Sequence, residues 1–144
     1  MLGSLARWLR VCGLDVFYDP MMDRSSLFRV AREEGRTLFT RSRSFGELKD
    51  IPPYIVIESD HLEDQLRQVK KEFPEIDLFK DAFSRCVECN TPLVEVDKNS
   101  VKDEIPPRSF TLEGPFFRCP SCKKLFWPGT HVTRIKERLK AIFL

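Results

Sequence analysis

The sequence predicts an α/β body over residues 1–80, followed by a metal-stapled hairpin module and a last helix over residues 81–144. Two observations carry this expectation. Short apolar runs of strand length alternate with helix-spaced apolar residues through the first part. Two Cys-x-x-Cys pairs, Cys86/Cys89 and Cys119/Cys122, then dominate the second. Strands that alternate with helices at this interval indicate a parallel sheet with helices on its faces.

Each element has a local reason. Leu2, Leu5, Ala6 and Leu9 recur at helical spacing, with Arg7 and Arg10 on the opposite side and Gly13 as the stop. Val16-Phe17-Tyr18 reads as a strand ended by Pro20. Asp23 or Ser25 then caps a helix carrying Leu27, Val30 and Ala31, closed by Gly35. Thr37-Leu38-Phe39-Thr40 and Tyr54-Ile55-Val56-Ile57 read as buried parallel strands. Asp60 with Glu63 forms a capping-box start for a helix bearing Leu62, Leu66, Val69 and Phe73. In the second part, Leu93, Val94 and Val96 form one strand of a hairpin. Phe116-Phe117-Arg118 leads into the second cysteine pair and Leu125-Phe126-Trp127 leaves it. Pro106-Pro107 turns a loop between them. Thr130 caps a last helix whose face of Val132, Ile135, Leu139 and Ile142 needs an apolar partner. No internal repeat is expected.

Four thiolates in two short turns match the tetrahedral all-sulfur shell of structural zinc, so Cys86, Cys89, Cys119 and Cys122 are expected to hold one Zn²⁺ per chain. Such a shell has no open coordination position, so this metal supplies structure and not chemistry. Disulfides within the pairs are the alternative. No apolar run approaches the roughly 20 residues of a membrane span, and the first residues lack a secretory cleavage pattern. An intracellular, reducing compartment (cytoplasmic or nuclear) is therefore expected, where thiols ligate metal. Cys12 follows an apolar helix face and reads as a small buried hydrophobe.

The net charge of +2 does not by itself announce a nucleic-acid partner. Its distribution is more telling. After Cys119 the chain carries Lys123, Lys124, Arg134, Lys136, Arg138 and Lys140 against Glu137 alone. A basic stripe on a metal-stapled module suits RNA phosphates, and a solvated helix surface is the other reading. Arg118, Lys123, Lys124 and Trp127 are the candidate RNA contacts, the last through base stacking. Most of the aromatics beside the cysteines are expected to fill the module's small core. His61 and His131 have no partner nucleophile in an identifiable motif and read as exposed or satisfied side chains.

The order of these pieces resembles the Mut-seven C-terminal RNase domain family, a branch of the PIN-like nucleases with an attached zinc ribbon. The resemblance rests on Met1-Leu2-Gly3-Ser4-Leu5-Ala6-Arg7-Trp8-Leu9-Arg10, on Gly13-Leu14-Asp15 with Tyr18-Asp19, and on Ala31 through Arg41. It continues in Ser84-Arg85-Cys86-Val87-Glu88-Cys89-Asn90, Phe117 through Cys122, and Phe126-Trp127-Pro128-Gly129-Thr130-His131. It implies a PIN-like α/β sandwich and cleavage of RNA by carboxylates holding Mg²⁺ or Mn²⁺ at strand ends.

By that resemblance Asp23, with Asp19 close by, maps onto a catalytic carboxylate. Asp15, Glu47 and Asp50 lie near in sequence. Two departures bear on activity. A chain starting at Met1 lacks the family's first strand and its Asp, and the family's Thr-Arg-Asp reads Thr40-Arg41-Ser42 here, with Ser44 at a second acidic position. A hydroxyl does not replace an ionised carboxylate as a ligand for a hard cation. The expectation is a protein of the RNase class with weak or no turnover, its incomplete sheet completed by a protein partner or fused domain. The alternative is a non-catalytic zinc-ribbon module that binds RNA or protein.

Overall fold

In a computed structural model, residues 2–45 and 49–143 are described; Glu47 lies outside them. The chain forms two compact units, Met1–Ala6 with Phe17–Pro74 and Arg7–Val16 with Glu75–Leu144. The fold is mixed α/β with two small sheets. No helix among the described residues is long and apolar enough to cross a membrane.

Helix α1 (Gly3–Val11) enters the first unit at its start and the second at its end. Gly13 stops it in a left-handed turn at φ 86°: its N–H donates to Arg10 O and the Leu14 N–H to Leu9 O. The first unit continues with α2 (Arg24–Glu33), β1 (Leu38–Thr40), β2 (Tyr54–Val56) and α3 (Leu62–Glu72). Asp23 caps α2 by accepting from the Ser26 N–H, and Gly35 closes it at φ 64°. The residues of α2 that reach the core are Phe28 and Ala31, and Phe28 meets Leu38 and Phe45. Leu27 packs at the margin of this cluster.

Strands β1 and β2 pair in parallel with Leu38 opposite Tyr54 and Thr40 opposite Val56, as expected of these two runs. The outer edge of β2 is covered by one side chain. The Gln68 amide donates to Val56 O at 2.8 Å and accepts from the Glu58 N–H at 3.1 Å, repeating the hydrogen bonds of a neighbouring strand.

Two local expectations are corrected. Residues 16–18 are not a strand. The Val16 N–H is taken by Asn90 Oδ1 at 2.9 Å and its carbonyl by Arg10 Nε at 2.9 Å, so side chains occupy groups a ladder would need. The capping box at Asp60 also fails to form, because the N-cap is His61, without a side-chain cap bond. Asp60 instead accepts from Arg41 Nη2 at 2.5 Å.

In the second unit, β3 (Val94–Val96), β4 (Phe116–Arg118) and β5 (Leu125–Phe126) make an antiparallel sheet in the order β3-β4-β5. A 3-10 helix (Lys98–Glu104), capped by Asp97, and the one-turn α4 (Pro107–Phe110) fill the stretch read as a loop. Val101, Ile105 and Phe116 form this region's core, with Phe110, Leu125 and Trp127 packed against it. Of the aromatics beside the cysteines, Phe116 is core and Trp127 packs at its margin, while Phe117 and Phe126 are half-buried. Helix α5 (Thr130–Phe143) buries Leu139 and Ile142. Leu139 packs with Cys12 and Leu78, beside Trp8, Leu14, Ile76 and Ile135, which supplies the partner its apolar face requires.

Candidate metal centre

Each cysteine pair sits in the same turn. Cys86 N–H donates to Thr91 O and Asn90 N–H to Cys86 O; Cys119 N–H donates to Lys124 O and Lys123 N–H to Cys119 O. Asn90 and Lys123, the residues after each second cysteine, take left-handed φ values of 65° and 68°. The arginine before each first cysteine is equivalent too. Arg85 Nη1 donates to Asn90 O and Arg118 Nη1 to Lys123 O, both at 2.8 Å. The chain therefore does contain an internal repeat, Arg-Cys-x-x-Cys followed by a left-handed residue. Its residues stand in the sequence as Arg85-Cys86-x-x-Cys89 and Arg118-Cys119-x-x-Cys122, and the structure adds the shared hydrogen bonds.

The four sulfurs lie within 4.8 Å of one another, and Cys86 Sγ is 3.7 Å from Cys122 Sγ. A tetrahedron with Zn–S bonds of ~2.3 Å has S···S edges of ~3.8 Å, so the donor set fits zinc. The separation is far beyond a disulfide's ~2.05 Å, and all five cysteines are free thiols. Cys86 and Cys119 are buried, while Cys89 and Cys122 are exposed. Among the described residues no other group of three or more His, Cys, Asp or Glu side chains gathers in this way.

Protonation follows from this crowding. The Cys86 thiol is raised by burial. Cys89 is pushed up to about 12, chiefly by its hydrogen bond with Cys122. Burial also acts upward on Cys119, but the N–H groups of Cys122 and Ser121 aimed at its sulfur outweigh it and bring it down to about 7. Without a cation the cluster therefore keeps protons on Cys86 and Cys89 at neutral pH, and a divalent metal must displace them. Zinc affinity should fall with acidity by at least about 100-fold per pH unit, since two or more protons return. Competition with a chromophoric chelator at pH 7 and 6 measures this, and a change below tenfold would contradict it.

The first turn is anchored by residues remote in sequence. Buried Arg10 donates through Nη1 to the carbonyls of Val87 at 2.9 Å and Glu88 at 3.3 Å. Arg7 pairs with Glu88 at 2.7 Å, which holds that carboxyl below its usual range. Asn90 Nδ2 donates to Asp15 Oδ1 at 2.7 Å, and Arg85 Nε to Gly13 O at 3.3 Å.

The remaining candidates each have local partners. Asp19 Oδ1 accepts from the Met21 N–H at 2.9 Å, forming an Asx turn. Asp23 accepts from Ser26 Oγ at 2.5 Å and from the Ser26 N–H at 3.1 Å; the hydroxyl is the larger cause of its lowered pKa. Ser42, just past β1, donates to Ser44 O at 2.7 Å. Arg118 bonds Glu104 at 2.6 Å, Lys123 Nζ donates to Pro120 O at 2.8 Å, and Lys124 lies over the Phe126 ring. Trp127 is half-buried and meets the His131 ring edge-on. His61 and His131 are both exposed.

No curated protein and no solved structure matches the chain. A family model described as the Mut7-C RNAse domain matches residues 1–139, taking in the parallel strands, both cysteine turns and most of the last helix. The chain belongs to the Mut7-C RNAse domain family.

Proposed function

We propose that this chain is an RNA-processing protein of the PIN-like RNase class, with one structural Zn²⁺ held by Cys86, Cys89, Cys119 and Cys122. The observation that carries this reading is a single family match spanning both the α/β part and the cysteine turns. In this reading residues 1–80 supply the nuclease-like sandwich and residues 81–144 the zinc ribbon. Arg118, Lys123, Lys124 and Trp127 are the RNA contacts. A protein partner or fused domain extends the two-stranded β1–β2 sheet. Free thiols throughout suit a reducing intracellular compartment.

Turnover should be weak or absent. A hard cation such as Mg²⁺ or Mn²⁺ needs several oxygen ligands, the stronger the more carboxylates it finds. Asp19 and Asp23 are engaged in a turn and a helix cap, and the hydroxyl of Ser42 is turned onto its own loop. Those engagements favour, as a second reading, a non-catalytic module that binds RNA or protein.

A cleavage assay on single-stranded and structured RNA with Mg²⁺ or Mn²⁺ separates the two readings. We expect binding that weakens as salt rises, because basic side chains displace phosphate counterions, with little cleavage, and we expect Ser42→Asp to increase it. Strong cleavage lost in Asp23→Asn would show that the existing carboxylates suffice. That variant is informative because Asn caps a helix as well as Asp does. Absence of RNA binding at low salt would leave protein binding as the module's role.

A further inference from the structure

We propose that Arg10 is the counter-ion of the four-cysteine metal centre and the positioning residue that ties metal occupancy to the order of residues 13–16. The inference rests on the reading of the centre as a zinc site. Arg10 is 7 % exposed, and among the described residues its side chain donates to the carbonyls of Val16, Val87 and Glu88. Among the described residues no carboxylate forms an ion pair with it. Glu88, whose backbone carbonyl Arg10 bonds, has its carboxylate committed to Arg7. Carbonyls satisfy the guanidinium's hydrogen bonds, but they do not neutralise its charge, and an uncompensated buried charge is strongly destabilising.

The metal-bound centre supplies the missing negative charge, because the guanidinium sits on the carbonyls of the two residues between Cys86 and Cys89. A divalent cation among four thiolates leaves a net negative centre, so the buried cation and the metal cluster stabilise one another. The same guanidinium sets geometry. Val87 and Glu88 lie between the two ligands of the first turn, and the N–H groups of Glu88 and Cys89 are aimed at Cys86 Sγ. Through Nε, Arg10 reaches Val16, whose N–H is held by Asn90 from the far end of the same turn. Arg85 and Asn90 complete the attachment at Gly13 and Asp15. Residues 13–16 thus follow the state of the turn that the metal staples.

The test compares Arg10→Gln, which keeps hydrogen-bond donors without charge, with Arg10→Lys, which keeps charge without the planar fork. Zinc affinity is read by chelator competition after metal content has been measured in the unaltered protein. We expect Arg10→Gln to weaken zinc by about 10–100-fold, the range for residues that support metal ligands, and Arg10→Lys to fall between it and the parent. Equal losses in both, or none in either, would overturn the charge role. If Arg10→Gln does not fold, a loss in Arg10→Lys beyond about 100-fold overturns it as well. Hydrogen exchange on the unaltered chain tests the coupling: chelation should speed exchange at Val16 while β1 and β2 keep their protection, and an unchanged Val16 would refute it. An unaltered protein that binds no zinc would defeat the zinc reading itself, which is a distinguishable result.

Discussion

Replacing Cys119 with serine should abolish tight zinc binding and dissolve the β3–β4–β5 hairpin. Cys119 is fully buried, its N–H and C=O close the second turn, and its sulfur carries the lowest pKa of the three shifted ligand thiols. The hairpin has strands of only two and three residues, far below what stands alone in water. Val101, Ile105 and Phe116 provide too small a core to compensate. Structural zinc supplies about 10–16 kcal/mol in peptides of this kind, so the metal decides whether the region folds. The near-ultraviolet circular dichroism of Trp127 and the neighbouring phenylalanines should collapse, while the helical signal largely persists. Retention of the parent's zinc affinity would contradict this.

Gly13→Ala should cost about 3 kcal/mol or more. A non-glycine residue in the left-handed region loses ~1–2 kcal/mol. At this position a Cβ would also lie 2.1 Å from Asp81 O, a backbone atom that cannot swing aside. The neighbouring Phe83 N–H donates to Val11 O at 2.7 Å, so displacing residues 81–83 also disturbs the end of α1. Gly35→Ala is the control: its φ is 64° with nothing within 4 Å of the built Cβ, so it should lose only the left-handed term. Urea unfolding of the two variants separates strain from collision. Equal losses would mean that residues 81–83 yield freely.

The parts of this architecture that sequence made legible are those governed by near neighbours. Asp23 and Gly35 bracket α2, Gly13 stops α1, and two apolar runs became the parallel pair β1 and β2. The cysteine centre was legible because its ligands come in short turns whose spacing carries the geometry. What failed depended on side chains distant in sequence. Val16-Phe17-Tyr18 has strand composition, but Asn90 and Arg10 take the backbone groups of Val16. Asp60 has capping chemistry, yet the guanidinium of Arg41 draws it away. The bonds of Arg118 to Glu104 and Lys123 O, which buttress the second turn, were likewise beyond a local reading. Composition alone could not show that Arg7, Trp8, Arg10 and Asp15 belong with the cysteine unit, since each meets a partner far along the chain.

Native mass spectrometry of the protein purified under reducing conditions, with thiol alkylation before and after metal removal, bears most directly on the central claim that one zinc ion organises the second unit. The expected result is one zinc per chain, with Cys86, Cys89, Cys119 and Cys122 protected until the metal is chelated. A chain that carries no zinc, or one with a disulfide inside either pair, would contradict the account.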